Sequence, residues 1–353
     1  MNLPSSHPLV DGRTTDAPLV RAFRGERPEI TPIWFMRQAG RSLPEYREAR
    51  RGTGMLESCL TPSLASEITL QPVRRHKVDA AIFFSDIVVP LRLAGVDVDI
   101  AAGVGPVLGE AVRTPEQVDR LVERELTDEA MAPVLEAVAL TVAELGGTPL
   151  IGFAGAPFTL AAYMVEGRPS RDHLAARTMM HADPESWARL TTWAADVSGR
   201  FLRGQALAGA SATQLFDSWA GSLGLADYVT HVAPSSARAL THVADLPVSV
   251  VHFGTGTGHL LGAMRDVGAD VMGVDYRTPL DEANAVLGGR APLQGNVDPA
   301  LLGAPWPVLE AHVRDVVERG RSAPAHVVNL GHGVPPETDP DVLTRVVELV
   351  HSL

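Results

Sequence analysis

Residues 32–47 read PIWFMRQAGRSLPEYR. The first part, 33–36, is a short apolar run of the kind that makes a fully buried strand. Three arginines follow, Arg37, Arg41 and Arg47, with Gly40 between the first two and Pro44 between the last two. A buried strand that stops at an arginine sets a permanent charge at the edge of a core. That is costly unless an anion or a carboxylate meets it there. Two guanidinium groups on one loop make a fork for carboxylates or phosphates. The plainer alternative is surface charge at a helix start, since arginine is common throughout the chain.

Seven further apolar runs follow, at 78–84, 149–153, 212–216, 248–253, 270–274, 291–294 and 326–330. Helix starts lie between them, each with a cap-type residue before a proline: Thr61-Pro62, Thr114-Pro115, Asp183-Pro184 and Asp339-Pro340. The second of these opens a long helix expected to end near Gly146. Alternating strand and helix implies a parallel sheet. Eight such units fit one closed α/β architecture, a single-domain (β/α)₈ barrel, better than two open sheets. The domain spans 21–353, and residues 1–20, rich in Pro, Ser, Thr and Asp, read as a flexible N-terminal segment. The stretch 88–112 is extra and reads as an irregular or hairpin-like insertion after the second strand. No internal repeat, linker or low-complexity segment interrupts the pattern.

The chain has 353 residues, 45% of them hydrophobic, and a formal net charge of −12. That acidity argues against non-specific nucleic-acid binding, so an anionic ligand needs a local basic pocket. Cys59 is the one cysteine, which excludes an intrachain disulfide and a multi-cysteine zinc site. The first sixteen residues hold no apolar segment of the signal-peptide kind, and no run reaches membrane-spanning length. A soluble cytoplasmic protein, without membrane or nucleic-acid partners, is the expectation. Thirty lysine and arginine residues include a single lysine, Lys77. Genomic base composition is the plain cause. Lys77 precedes a strand, at the end where barrels do not usually hold their chemistry, so Schiff-base catalysis is nearly excluded.

Polar and ionisable groups gather just after the apolar runs, the end at which barrel active sites form. They include Arg37 and Arg41 after the first, Asp86 after the second and Tyr163 on the segment opened by the third. Asp217 and Ser218 follow the fourth, Gly254 the fifth, Asp275 the sixth, Asn296 and Asp298 the seventh, and His332 the eighth. Asp86 is either a helix cap or arginine partner, or a buried carboxylate held where positive charge develops. His332 between two glycines suggests close approach by a ligand, or a satisfied loop histidine. Tyr163 alone reads as readily as core. Ser218 lacks a G-x-S-x-G elbow, so a hydrolase is weakly supported. His326, His332, Asp86 and Asp275 show no metal-ligand spacing such as H-E-x-x-H. The stretch Gly254-Thr-Gly-Thr-Gly258 imitates a dinucleotide loop, but histidine stands at 259 where the third glycine belongs.

PIWFMRQAGRSLPEYR and GFAGAPFTLAAYMVEG resemble the two signature segments of the uroporphyrinogen decarboxylase family. FFSDI, QLFDSWAG, GNVDP and NLGHGV resemble further family segments in the expected order, from about residue 20 onward. Phe158 stands where many relatives have tryptophan. The resemblance implies a distorted (β/α)₈ barrel, usually a homodimer, with no metal or prosthetic group. It implies conversion of the four acetate side chains of uroporphyrinogen to methyl groups, a step of haem and tetrapyrrole synthesis. Carried over by motif, Asp86, Arg37 and Tyr163 are the catalytic residues. Arg37, Gln38, Arg41, Asp86, Tyr163, Ser218 and His332 are the substrate-binding ones. Phe153 and Phe216 are candidates for a flat apolar floor beneath the macrocycle.

The chemistry is consistent with this. Loss of CO₂ leaves electron density that needs a sink, normally a cofactor. A pyrrole protonated beside its nitrogen can serve as that sink. Asp86 would then stabilise the cation, and Arg37 and Arg41 would hold carboxylates. Two rivals stand beside this reading. A corrinoid-dependent methyltransferase shares the fold, but needs zinc held by His and Cys ligands, and this chain has one cysteine and no His-x-Cys. A non-catalytic tetrapyrrole carrier would use the same arginines but has no need of a buried carboxylate.

Overall fold

Ile33 forms a parallel bridge to Val328. The Trp34 amide donates to the Val328 carbonyl at 3.2 Å, and the Val328 amide donates to the Pro32 carbonyl at 2.8 Å. On the other side the Asp79 amide donates to the Ile33 carbonyl at 2.8 Å, and the Asp79 carboxylate accepts from the Ile33 amide, also at 2.8 Å. The run that opens the chain's core therefore lies between its second and last strand segments, and closes a ring.

The computed structural model describes residues 3–353. Among the described residues there are nine strands: β1 (Ala81–Ile82), β2 (Val98–Ala101), β3 (Gly105–Leu108), β4 (Leu150–Gly155), β5 (Ala212–Asp217), β6 (Ser249–Gly254), β7 (Val271–Gly273), β8 (Leu293–Gln294) and β9 (His326–Val327). Seven of them form one parallel sheet in the order β1-β4-β5-β6-β7-β8-β9. With the Ile33 segment joining β9 to β1, this is the eight-unit barrel expected from the apolar runs. All six residues of β4 are buried, as a parallel strand covered on both faces requires. Inside the ring a polar chain crosses the core. Trp34 Nε1 donates to Gln294 Oε1 at 3.1 Å, and Gln294 Nε2 donates to Gln214 Oε1 at 3.0 Å. These bonds fix side-chain orientation across the core, while Gln214 Nε2 is buried without a partner.

β2 and β3 pair antiparallel, Val98 opposite Leu108, so the extra stretch after β1 contains a hairpin. It is tied to the helix Pro157–Glu166 by the Leu108 amide to Gly167 O and the Val112 amide to Met164 O, each 2.9 Å. Asp183 and Asp339 cap their helices through side-chain oxygens, accepting from the Ser186 and Asp341 amides. Thr114 forms a capping box with Gln117. The long helix expected from Thr114 to near Gly146 is in fact two, Pro115–Val122 and Asp128–Leu145. Thr127 restarts it by accepting from the Ala130 amide at 3.1 Å, while Leu126 turns into the core.

The segment read as flexible from its composition carries buried contacts within its described part. His7 Nε2 lies 3.0 Å from Ala206 O and Thr14 Oγ1 2.8 Å from Ser211 Oγ, with Leu3 packed against Ala206, Leu246 and Val248. Met1 and Asn2 lie outside the described residues. No helix among the described residues is long and apolar enough to cross a membrane.

Candidate active site

The Arg37 turn is built first by its neighbours. Gln38 is fully buried; its Oε1 accepts from the Phe35 amide and its Nε2 donates to Ala80 O, both at 3.0 Å. Asn329 Oδ1 accepts from the Met36 amide at 2.9 Å. Arg37 itself has φ +60°, a left-handed conformation that non-glycine residues rarely hold unless the surroundings impose it. Two glycines make room. A Cβ on Gly40 would lie 2.8 Å from Arg37 O, and one on Gly333 would lie 2.4 Å from Arg37 Cδ. The exposed guanidinium is thus aimed by the chain, and it has no carboxylate within ion-pair distance among the described residues. Gln38, expected to touch substrate, instead has both amide atoms bonded to backbone. It positions the turn.

Asp86 follows β1, half-buried. Its Oδ1 accepts from the Val88 amide at 3.1 Å, so the helix-start alternative is realised in part. Burial raises its pKa above the usual carboxylate range. The Val88 and Ile87 amides and the Arg37 charge oppose that rise. Tyr163 sits on the helix Pro157–Glu166. Burial pushes its hydroxyl up to about 12, with the Asp86 charge adding and the Arg37 charge opposing. His332 is lowered by burial, then by Arg37 and Arg277, with Asp275 opposing. Arg37 is therefore felt at Asp86, Tyr163 and His332, which form one electrostatic group at the C-terminal end of the barrel. At neutral pH it offers a permanent cation, a phenol that keeps its proton and an uncharged imidazole. Ser218 is half-buried directly after β5, beside Asp217. Arg41 is exposed on the turn before the helix Pro44–Ala49, with Ser42 and Leu43 buried beside it.

The aromatic floor differs from expectation. Phe153 and Phe216 meet edge to face, centroids 5.3 Å apart and planes at 89°, and Phe216 meets Phe253 the same way at 5.9 Å and 78°. The surface is stepped rather than flat, with half-buried Phe216 as its accessible ring.

Three contacts of the site were not legible from sequence, although Asp217 and Asp275 were named as groups after their strands. Trp219 stacks on Tyr163 at 3.8 Å and on His173 at 4.3 Å. Asp217, fully buried, accepts from Thr159 Oγ1 at 2.8 Å, and that hydroxyl accepts from the Trp219 amide at 3.3 Å. Asp217 thereby ties the Tyr163 helix to the turn after β5. The third is the turn 275–278, which packs against Gly331. Among the described residues, the group with ligand atoms close enough to hold a metal is His181, Asp227 and His231. It includes none of the residues selected from sequence.

A family model described as uroporphyrinogen decarboxylase (URO-D) matches residues 14–353. A uroporphyrinogen decarboxylase of Arthrobacter sp. (strain FB24) is 72% identical over 344 residues, covering 98% of this chain and 99% of that one. One from Leifsonia xyli subsp. xyli is 65% identical, covering 99% and 98%. Among solved structures, a methyltransferase from Methanosarcina mazei superposes with a TM-score of 0.77 at 19% identity, covering 96% of this chain and 98% of that one. That likeness concerns the fold alone. With a family model matching residues 14–353 and relatives of 72% and 65% identity spanning nearly the whole chain, the chain belongs to the uroporphyrinogen decarboxylase family.

Proposed function

We propose that this chain removes CO₂ from the four acetate side chains of uroporphyrinogen III, giving coproporphyrinogen III. The observation that carries the reading is the 72% identity across nearly the whole chain, joined to a half-buried carboxylate at the barrel mouth. The residues suit the reaction. A proton added to the pyrrole carbon beside nitrogen makes a cation conjugated to the acetate methylene. The bond to the carboxylate then breaks, its electron pair flows into the ring, and CO₂ departs. A second proton reaches the methylene, the ring loses the first, and each acetate consumes one proton net in becoming methyl.

In this reading Asp86 accepts from pyrrole N–H groups and stabilises the ring cation; its carboxylate is worth most where water is excluded. Arg37 and Arg41 hold substrate carboxylates. Tyr163, its phenol kept protonated, donates to a carboxylate oxygen, and Ser218 and His332 hydrogen-bond others. Phe216, backed by Phe153, meets the macrocycle. The same reading makes the protein a cytoplasmic homodimer. Leu225 and Val229, each 51% exposed and one helical turn apart, are apolar surface that a second copy would cover. Sedimentation of the purified chain reads the assembly state.

Anaerobic incubation of chelator-treated protein with uroporphyrinogen, followed by chromatography of the oxidised products, tests the activity. A ladder of seven-, six-, five- and four-carboxylate porphyrins is expected. Tight porphyrin binding without conversion would instead favour a carrier.

A further inference from the structure

The substrate class proposed above carries eight carboxylates, and the residues assigned from the family segments supply two guanidinium groups for them. The structure holds a third at the same mouth. Gly331 and Gly333 flank His332. A Cβ on Gly331 would lie 2.1 Å from the Tyr276 amide nitrogen, and one on Gly333 would lie 2.4 Å from Arg37 Cδ. The backbone around His332 therefore packs against the 275–278 turn on one side and the Arg37 side chain on the other. Arg37, His332 and the turn form one continuous arc along the C-terminal rim.

Arg277 stands on that turn. Its side chain is 51% exposed. Nη1 donates to Asp275 Oδ2 at 2.5 Å, and the guanidinium carbon lies 4.3 Å from the centroid of the Tyr276 ring. Asp275 is 2% exposed. It also accepts from the Gly256 amide at 2.5 Å and the Arg277 amide at 3.2 Å. Asn296 Nδ2 fastens the turn by donating to Asp275 O and Thr278 O at 2.9 and 2.6 Å. A half-exposed guanidinium held by one carboxylate and one ring keeps N–H donors for a further acceptor. It has already lost much of the side-chain freedom that binding would otherwise cost. The positive charge also reaches His332, whose pKa it helps to lower.

We propose that Arg277 is a further carboxylate-binding subsite, taking one acetate or propionate group of the tetrapyrrole at the rim while Arg37 takes another. This rests on the tetrapyrrole reading, and the test separates the two. Asp275 does not cancel the subsite: it is buried behind the guanidinium and holds it in place, much as a second carboxylate fixes a fork-shaped donor.

The experiment is fluorescence titration of the full-length protein with uroporphyrin and with coproporphyrin, run on wild type, Arg277→Gln, Arg277→Lys and Arg314→Gln. The last removes an exposed arginine from the outer helix Trp306–Gly320 and controls for net charge. Loss of one charge-assisted hydrogen bond at a half-exposed site predicts about tenfold weaker uroporphyrin binding in Arg277→Gln. Arg277→Lys should recover most of it, and the salt dependence of binding should be shallower in Arg277→Gln than in wild type. Loss with both porphyrins assigns a propionate, and loss with uroporphyrin alone assigns an acetate. Binding within twofold of wild type in Arg277→Gln, or an equal loss in Arg314→Gln, overturns the subsite. Turnover is followed in parallel. A wild type that binds uroporphyrin but releases no CO₂ overturns the decarboxylase reading, while the titrations still decide Arg277.

Discussion

The ring of Trp219 lies 3.8 Å, centroid to centroid, from that of Tyr163, with the planes inclined by 27°. The stack joins the turn after β5 to the helix after β4, and the Thr159–Asp217 bond joins the same two elements below it. Tyr163 is thereby aimed by contacts remote in sequence. An aromatic pair of this kind is worth about 0.5–1.5 kcal/mol beyond its buried area. Trp219→Leu should lower kcat/KM about tenfold. The loss should not add to that of Tyr163→Phe in a double-mutant cycle, because both act through one hydroxyl. Fully additive losses would separate Trp219 from Tyr163.

Gly333 sits where a side chain would displace Arg37, as a Cβ there falls 2.4 Å from Cδ and 2.7 Å from Cγ. The obstructed atoms belong to a long flexible side chain, so Gly333→Ala should fold with little change in thermal midpoint. Arg37 would move instead. A misplaced substrate-orienting group costs on the order of 10² in rate, so kcat/KM should fall by that order while circular dichroism stays the same. Unchanged turnover in Gly333→Ala would show that the close approach does not matter to Arg37.

Two buried histidines contribute to the acid limb of stability. Burial is the main cause for both. His76 is lowered to about 4, with Arg75 adding, and His326 to about 4 against the opposing bond to Gly295 O. Below the ordinary value near 6.5 the unfolded chain takes up protons that the folded one resists until about 4. Stability is therefore full above about 6.5 and lost as pH falls through that window, with each unit of displacement worth about 1.4 kcal/mol. His351, raised by its bond to Asp79, works the other way: its contribution is present below 6.5 and lost as pH rises past its raised value. Calorimetry should show a falling midpoint from pH 6.5 to 4, with a shallower slope in His326→Gln. An equally steep slope in that variant would remove His326 from the account.

Much of the fold was legible because parallel strands buried on both faces are mostly apolar runs, as β4 is. The helix break at 123–127 was missed, although Thr127-Asp128-Glu129 is itself a start signal, because the apolar pattern continues across it. In the site, Arg37, Asp86, Tyr163 and His332 could be chosen from sequence since each follows an apolar run or lies in a signature segment. Gln38 entered only with the signature segment, and its bonds to the Phe35 amide and the Ala80 carbonyl could not be read from local sequence. Trp219, His173 and Arg277 were not legible as site residues. The ring partners of Trp219 and His173 lie tens of residues away, as does Gly331, which brings the Arg277 turn to the rim, and no local spacing encodes a stack or a packed glycine.

Asp86 is the carboxylate on which the proposed chemistry depends. The most direct measurement is CO₂ release from uroporphyrinogen by Asp86→Asn beside wild type, with folding checked by circular dichroism and uroporphyrin binding by fluorescence. Asparagine keeps the shape and the Val88 contact but removes the charge. Release should fall by about two to three powers of ten while binding is largely kept, the usual size of a lost electrostatic group. Wild-type turnover in a folded Asp86→Asn variant would contradict the central role given to this carboxylate.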